Sequence, residues 1–200
     1  MKRLFSIAPE WIVLFAGIIA AFHVGKLAPA IPVLQSEMGI SLVEAGLLLS
    51  LVQLVGMSSG VFWGFSIGRF GLRRAVLTGS AIAGFFTSST LMLISRAVEG
   101  MGFVLVVLSG PGLMRSLVTA EHLNIRMGWW GAFMGLGAGG SMVLGPILLE
   151  YRHWSYWCWI SALMTFLTFW WVKEVIPSSV DADAKANVDT GLLAHLFDLQ

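Results

Sequence analysis

Apolar residues run through this chain in long, unbroken blocks. Residues 45–68, 75–95, 127–149 and 154–172 contain no Asp, Glu, Lys or Arg. Residues 11–34 carry only Lys26, and residues 91–114 carry Arg96 and Glu99 near their start. A helix needs about 20 mostly apolar residues to cross a bilayer. The pattern therefore predicts an all-α membrane protein of six spans: TM1 about 10–34, TM2 45–68, TM3 75–90, TM4 91–114, TM5 127–149 and TM6 154–173. Only 40 residues lie between Arg74 and Arg115, and they must hold two spans, so TM3 is expected to be short, with its turn in the polar run at 87–90.

Composition supports lipid as the solvent. Of the 200 residues 57% are apolar and 12% charged, against about 25% charged in an average soluble domain. A net charge of +1 gives no basis for binding nucleic acid. The single cysteine, Cys158, excludes an internal disulfide framework and a cysteine metal cluster. The start, MKRLFSIAPEW, has a basic head before an apolar run, but no small-residue cleavage site follows and more spans do, so TM1 reads as an uncleaved helix. After Pro177 the chain turns polar, and 177–200 reads as a cytoplasmic segment, ending in a stretch, GLLAHLFDLQ, with a weak amphipathic pattern.

Charge sets the orientation. If the spans alternate, Lys2, Arg3, Arg69, Arg73, Arg74, Arg115, Arg126, Lys173 and Lys185 fall on one side, while Arg152 lies opposite and Arg96 near that boundary. The positive-inside rule then places both termini in the cytoplasm, which in a bacterium makes this a multi-pass protein of the inner membrane. Trp11, Trp63, Trp129, Trp130, Trp170 and Trp171 near one side, and Trp154, Trp157 and Trp159 near the other, read as interfacial belts.

Glycine spacing predicts close helix packing. TM2 carries Gly56, Gly60, Gly64 and Gly68, and TM5 carries Gly131, Gly135 and Gly139, each four apart. Such ridges let backbones approach and gain van der Waals contact in lipid. Two soluble-protein motifs occur without their context: GLGAGG at 135–140 has no preceding strand, and GMSSG at 56–60 puts Ser58 in mid-span rather than on a strand-to-helix turn.

GFSIGRFGLRR at 64–74 resembles the TM2–TM3 loop signature of the major facilitator superfamily, with Gly64, Arg69, Gly71 and Arg73 in place and Arg74 following. Gly68 stands where the signature has an acid, and Leu72 where it has a base. RAVEGMG at 96–102 is similar to the TM4 signature through Arg96, Glu99, Gly100 and Gly102. Gly145-Pro146 is similar to the TM5 signature, although Leu149 and Glu150 replace expected glycines. The resemblance covers about residues 10–176. It implies an amino-terminal bundle of 3+3 inverted repeats, one of two six-helix halves that bind solute between them. It also implies that TM2 and TM5 pack on the other half, so their glycines, with Gly145 and Pro146, are expected at helix contacts and at that half–half interface. The acid missing at Gly68 is implied to help hold the inward face closed. The expected companion is a carboxy-terminal half, a second polypeptide or a second copy.

Charge inside a bilayer marks function by default. His23 and Lys26 in TM1, and Arg96 and Glu99 in TM4, are each three apart and so share a helix face. With Gln53 of TM2 they are the expected substrate-binding residues. Uncompensated Lys26 and Arg96 point to a small organic or inorganic anion, with His23 able to relay a proton; the alternatives are that Lys26 snorkels to the interface or that Arg96 and Glu99 simply pair. The expected function is proton-coupled or exchange transport by one half or a truncated product of a secondary transporter, without cofactor, metal or enzymatic activity. The alternatives are a membrane assembly subunit and, remotely, an intramembrane serine protease using Ser58.

Overall fold

The computed structural model describes residues 8–70, 72–83, 92–151 and 154–180. Among these, all regular structure is helical. The polar run at 87–90, the tail from 181 and the basic pair Lys2 and Arg3 lie outside the described residues.

Helix α1 (Pro9–Gly25) starts with proline at its first position, where the fixed φ suits a helix and the missing N–H costs nothing. Pro29 cannot donate to the Gly25 carbonyl, so the chain tightens into a 3-10 turn at Ala28–Ala30 and resumes as α2 (Ile31–Met38). Gly39 ends α2 at φ 67°, a left-handed cap that glycine adopts without steric cost. A reciprocal cap opens α3 (Leu42–Phe70): Ser41 N–H donates to Glu44 Oε2 at 2.7 Å, and Glu44 N–H to Ser41 Oγ at 3.2 Å. Then follow α4 (Leu72–Ala83), α5 (Met92–Leu117), α6 (Ala120–Gly131), a π turn at Gly135–Gly139, α7 (Gly140–Tyr151) and α8 (Trp154–Val175).

Among the described residues, four stretches are long and apolar enough to cross a membrane: Pro9–Glu37, Leu42–Gly64, Leu93–Leu117 and Ala120–Glu150. Helix α8 adds 22 residues, about 33 Å at 1.5 Å per residue. An 18-residue apolar window of the first stretch is 72% buried and that of the last 17%, so α1 is the axis of the bundle and α6–α7 its flank. Helix α5 packs on α3, α4 and α1, while α1 also meets the π turn and α8. The core joins Ile12, Val13 and Ala16 of α1 to Val76, Val106, Met114, Val172 and Ile176.

The basic connections gather at one end. Arg73 donates from Nε to the Ile176 carbonyl at 2.6 Å and from Nη2 to the Lys173 carbonyl at 2.8 Å, a cation on the carboxyl end of α8. Arg126 pairs with Glu10 at 3.4 Å and lies over the Trp11 ring at 4.3 Å. Two of the tryptophans expected in the belts are buried within the bundle. Trp130 is buried against Gly17 and Gly110, where no Cβ would fit, and Trp157 is buried on α8.

The two glycine ridges also part company. Gly56 and Gly60 lie at a helix contact: a Cβ would lie 3.0 Å from Val104 of α5 at Gly56 and 3.8 Å from it at Gly60. The reason is Gly100 of α5, whose own Cβ would lie 2.5 Å from the Val52 carbonyl of α3. A bare backbone at that crossing draws α3 onto α5. Gly64 is open, Gly68 and Arg69 sit in a part of α3 whose side chains are not described, and Gly71 is outside the described residues. On the flank, a Cβ added at Gly131, Gly135 or Gly139 would meet nothing within 4 Å among the described residues. Gly137 and Gly145 turn inward instead, onto Ile18–Phe22 and Pro29 of the first span, and Pro146 is exposed.

Candidate functional site

Helical spacing puts His23 and Lys26 on one face of the first span and Arg96 and Glu99 on one face of α5. The fold turns these faces together. Lys26 Nζ donates to Glu99 Oε1 at 2.7 Å and to His23 Nδ1 at 3.0 Å. Arg96 donates from Nη1 to the His23 carbonyl at 3.1 Å, and its Nη2 pairs with Glu99 Oε2. His23 Nε2 lies 2.6 Å from Thr165 Oγ1 of α8. All four charged or titratable residues are 2–3% exposed. Lys26 therefore does not snorkel, because its ammonium is held inside the bundle by Glu99.

The electrostatics are those of a shared carboxylate. Two cations, Lys26 and Arg96, face one anion, Glu99, leaving a formal +1 with His23 neutral. The positive charge is thus partly compensated, unlike the bare pair expected from the sequence. Arg96 Nε makes no hydrogen bond among the described residues and is buried. A buried N–H without an acceptor is costly, and here it is a spare donor beside a net positive charge.

Proline chemistry contributes as well. When the chain tightens at Ala28–Ala30, the Ala30 N–H goes to Leu27 rather than to Lys26. The freed Lys26 carbonyl accepts the Trp157 indole N–H at 2.7 Å. Trp157 and Thr165, which sequence reasoning missed, thus tie α8 to both ends of the His23–Lys26 turn. The one signal for Thr165 is a polar stripe, Ser161, Thr165 and Thr168, at helical spacing within an apolar span.

Gln53 is exposed on α3, whereas His23, Lys26, Arg96 and Glu99 are buried. Ser58 Oγ donates to the Leu54 carbonyl of its own helix at 2.8 Å, while the His23 ring is engaged by Lys26 and Thr165. The described residues therefore hold no serine–histidine pair of the kind a protease needs.

A family model of the Major Facilitator Superfamily matches residues 13–197. The chain belongs to the major facilitator superfamily. Among curated proteins it is 27% identical over 172 residues to the Multidrug resistance protein MdtH of Yersinia enterocolitica, covering 81% of this chain and 42% of that protein. It is 24% identical over 200 residues to MdtH of Yersinia pestis, covering 94% of this chain and 49% of that protein. An uncharacterized MFS-type transporter of Mycobacterium tuberculosis is 22% identical over 170 residues, covering 82% of this chain and 25% of that protein. The chain thus spans a quarter to a half of the length of these relatives. Family membership and the long apolar helices make it an integral membrane protein, and the family points to transport rather than catalysis.

Proposed function

We propose that this chain forms the amino-terminal six-helix half of a secondary transporter that moves a small anion, with a coupled proton or in exchange. The six spans alternate with both termini in the cytoplasm, and the companion is a carboxy-terminal six-helix half. The observation that carries the solute class is the buried centre: two cations share one carboxylate, and Arg96 Nε is a donor without an acceptor. An intramembrane charge group is costly and retained for function. An incoming anion takes over contacts that Glu99 makes with Lys26 and Arg96, and protonation of Glu99 releases both cations to it.

A second reading, export of amphipathic organic compounds, is favoured by the name of the Yersinia relatives, multidrug resistance protein. The two separate in one experiment. Reconstituted transporter containing this chain is assayed for uptake of small radiolabelled anions and of cationic dyes. Lys26→Gln and Arg96→Gln are expected to raise the apparent KM for anions at least tenfold. Unchanged anion affinity in both variants, with dye export lost or retained, overturns the anion assignment.

A further inference from the structure

The Thr165 hydroxyl, 142 positions along the chain from His23, has one proton to give. It donates that proton to the Ser161 carbonyl in the preceding turn, at 3.0 Å. Its oxygen then meets His23 Nε2 at 2.6 Å as an acceptor, so Nε2 is the ring nitrogen that carries hydrogen. Nδ1 is left with its lone pair free, and the Lys26 ammonium, which has donors only, fills it at 3.0 Å. A second ammonium N–H goes to Glu99 at 2.7 Å. The hydrogen bonds run outward from Lys26 in two directions, to Glu99 on α5 and through His23 and Thr165 to the backbone of α8.

We infer that Thr165 is a positioning residue of the charge centre: its hydroxyl locks His23 in the Nε2–H tautomer, and the ring so locked anchors Lys26 beside Glu99. Either alternative state of the ring breaks the chain. The Nδ1–H tautomer points an N–H at the ammonium, and the imidazolium does the same. The groups around the ring are Lys26 on its own span, Glu99 with Oε1 3.6 Å from Nδ1 and Arg96 on α5, and Thr165 on α8, with Cys158 of α8 beyond Lys26. His23 therefore takes a proton at Nδ1 only when Lys26 withdraws, which makes it a holder of Lys26 in this arrangement and not a free relay. The consequence for transport rests on the proposed function; the tautomer does not.

Long-range proton–nitrogen correlation spectra of the histidine-labelled protein in lipid nanodiscs test this directly. The chain has 4 histidines, and His23→Gln identifies the signal. The expected result is hydrogen on Nε2 and none on Nδ1 in the unmutated protein, loss of that pattern in Thr165→Val, and its retention in Thr165→Ser. His23 found as Nδ1–H or imidazolium at neutral pH in the unmutated protein overturns the inference, as does an unaltered ring signal in Thr165→Val. In the transport arm, Thr165→Val is expected to lower uptake about tenfold, the scale of one buried hydrogen bond, with Thr165→Ser restoring most of it. A changed tautomer with undiminished uptake removes the positioning role. The expected tautomer in an unmutated protein that transports nothing overturns the transport reading alone.

Discussion

The inner side of this bundle and its outer flank use the same residue type to opposite ends. Where α3 crosses α5, and where the π turn crosses α1, glycine is a place of contact: Gly100 lies against the Val52 carbonyl and Gly137 against Ile18, Ala21 and Phe22. On the flank, Gly131, Gly135 and Gly139 have the same four-residue spacing, and a Cβ at any of them would meet nothing within 4 Å among the described residues. Their neighbours Met142, Val143 and Ile147 are exposed and apolar. Charge divides the same way. Inside, Lys26, Arg96 and Glu99 are buried in mutual contact; outside, the flank from 127 to 149 has no charge at all. Spacing creates a ridge, and the surface brought against it decides whether the ridge is a joint or a free face.

The sharpest way to break this contrast is to disturb the inner charge. Glu99→Gln removes the anion shared by Lys26 and Arg96 and leaves two buried cations together. Taking one partner from a buried ion pair costs about 3–5 kcal/mol in soluble proteins, and a loss of that order is expected in detergent-titrated unfolding followed by circular dichroism. A cost below about 1 kcal/mol would mean that the centre is not sealed from water. Next is Gly100→Ala. The added methyl falls on a backbone carbonyl, which cannot swing aside as a side chain can, so about 1–3 kcal/mol of overpacking is expected in the same assay. The smallest effect is expected at Gly135→Ala, which meets open space and removes a residue of low helix propensity. Its unfolding should shift by no more than about 0.5 kcal/mol. A large loss there would show that Gly135 is a joint within this bundle, and the division of the two sides would fail.

Much of the architecture was legible in the order of apolar and charged residues. Charge-free runs over 45–68 and 127–149 became long helices, and α1 and α2 bend where Pro29 interrupts donation. The two polar pairs of the site could be read because helical spacing alone puts His23 beside Lys26 and Arg96 beside Glu99. Their joining could not be read, since 73 positions separate Lys26 from Glu99. Nor was the share of α8 visible: Thr165 and Trp157 look like ordinary members of an aromatic and hydroxyl-rich span until the fold brings them to the His23–Lys26 turn. The partner that the TM2 glycines meet within this bundle was hidden for a related reason. Their spacing is a property of one helix, whereas the surface they meet depends on Gly100 of another.

What the sequence determined by itself is local: which segments are helical and apolar, where proline interrupts donation, and which side chains share a face. These follow from backbone sterics and from the cost of charge in lipid, and both act within one helix. Only the tertiary structure decided that one carboxylate serves two cations, that a threonine on α8 presents its oxygen to His23, and that Gly56 and Gly60 meet a neighbouring helix while Gly131 and Gly135 do not. Those outcomes depend on distances between helices, and in an apolar medium they are set by shape and by hydrogen bonds that no single span can complete.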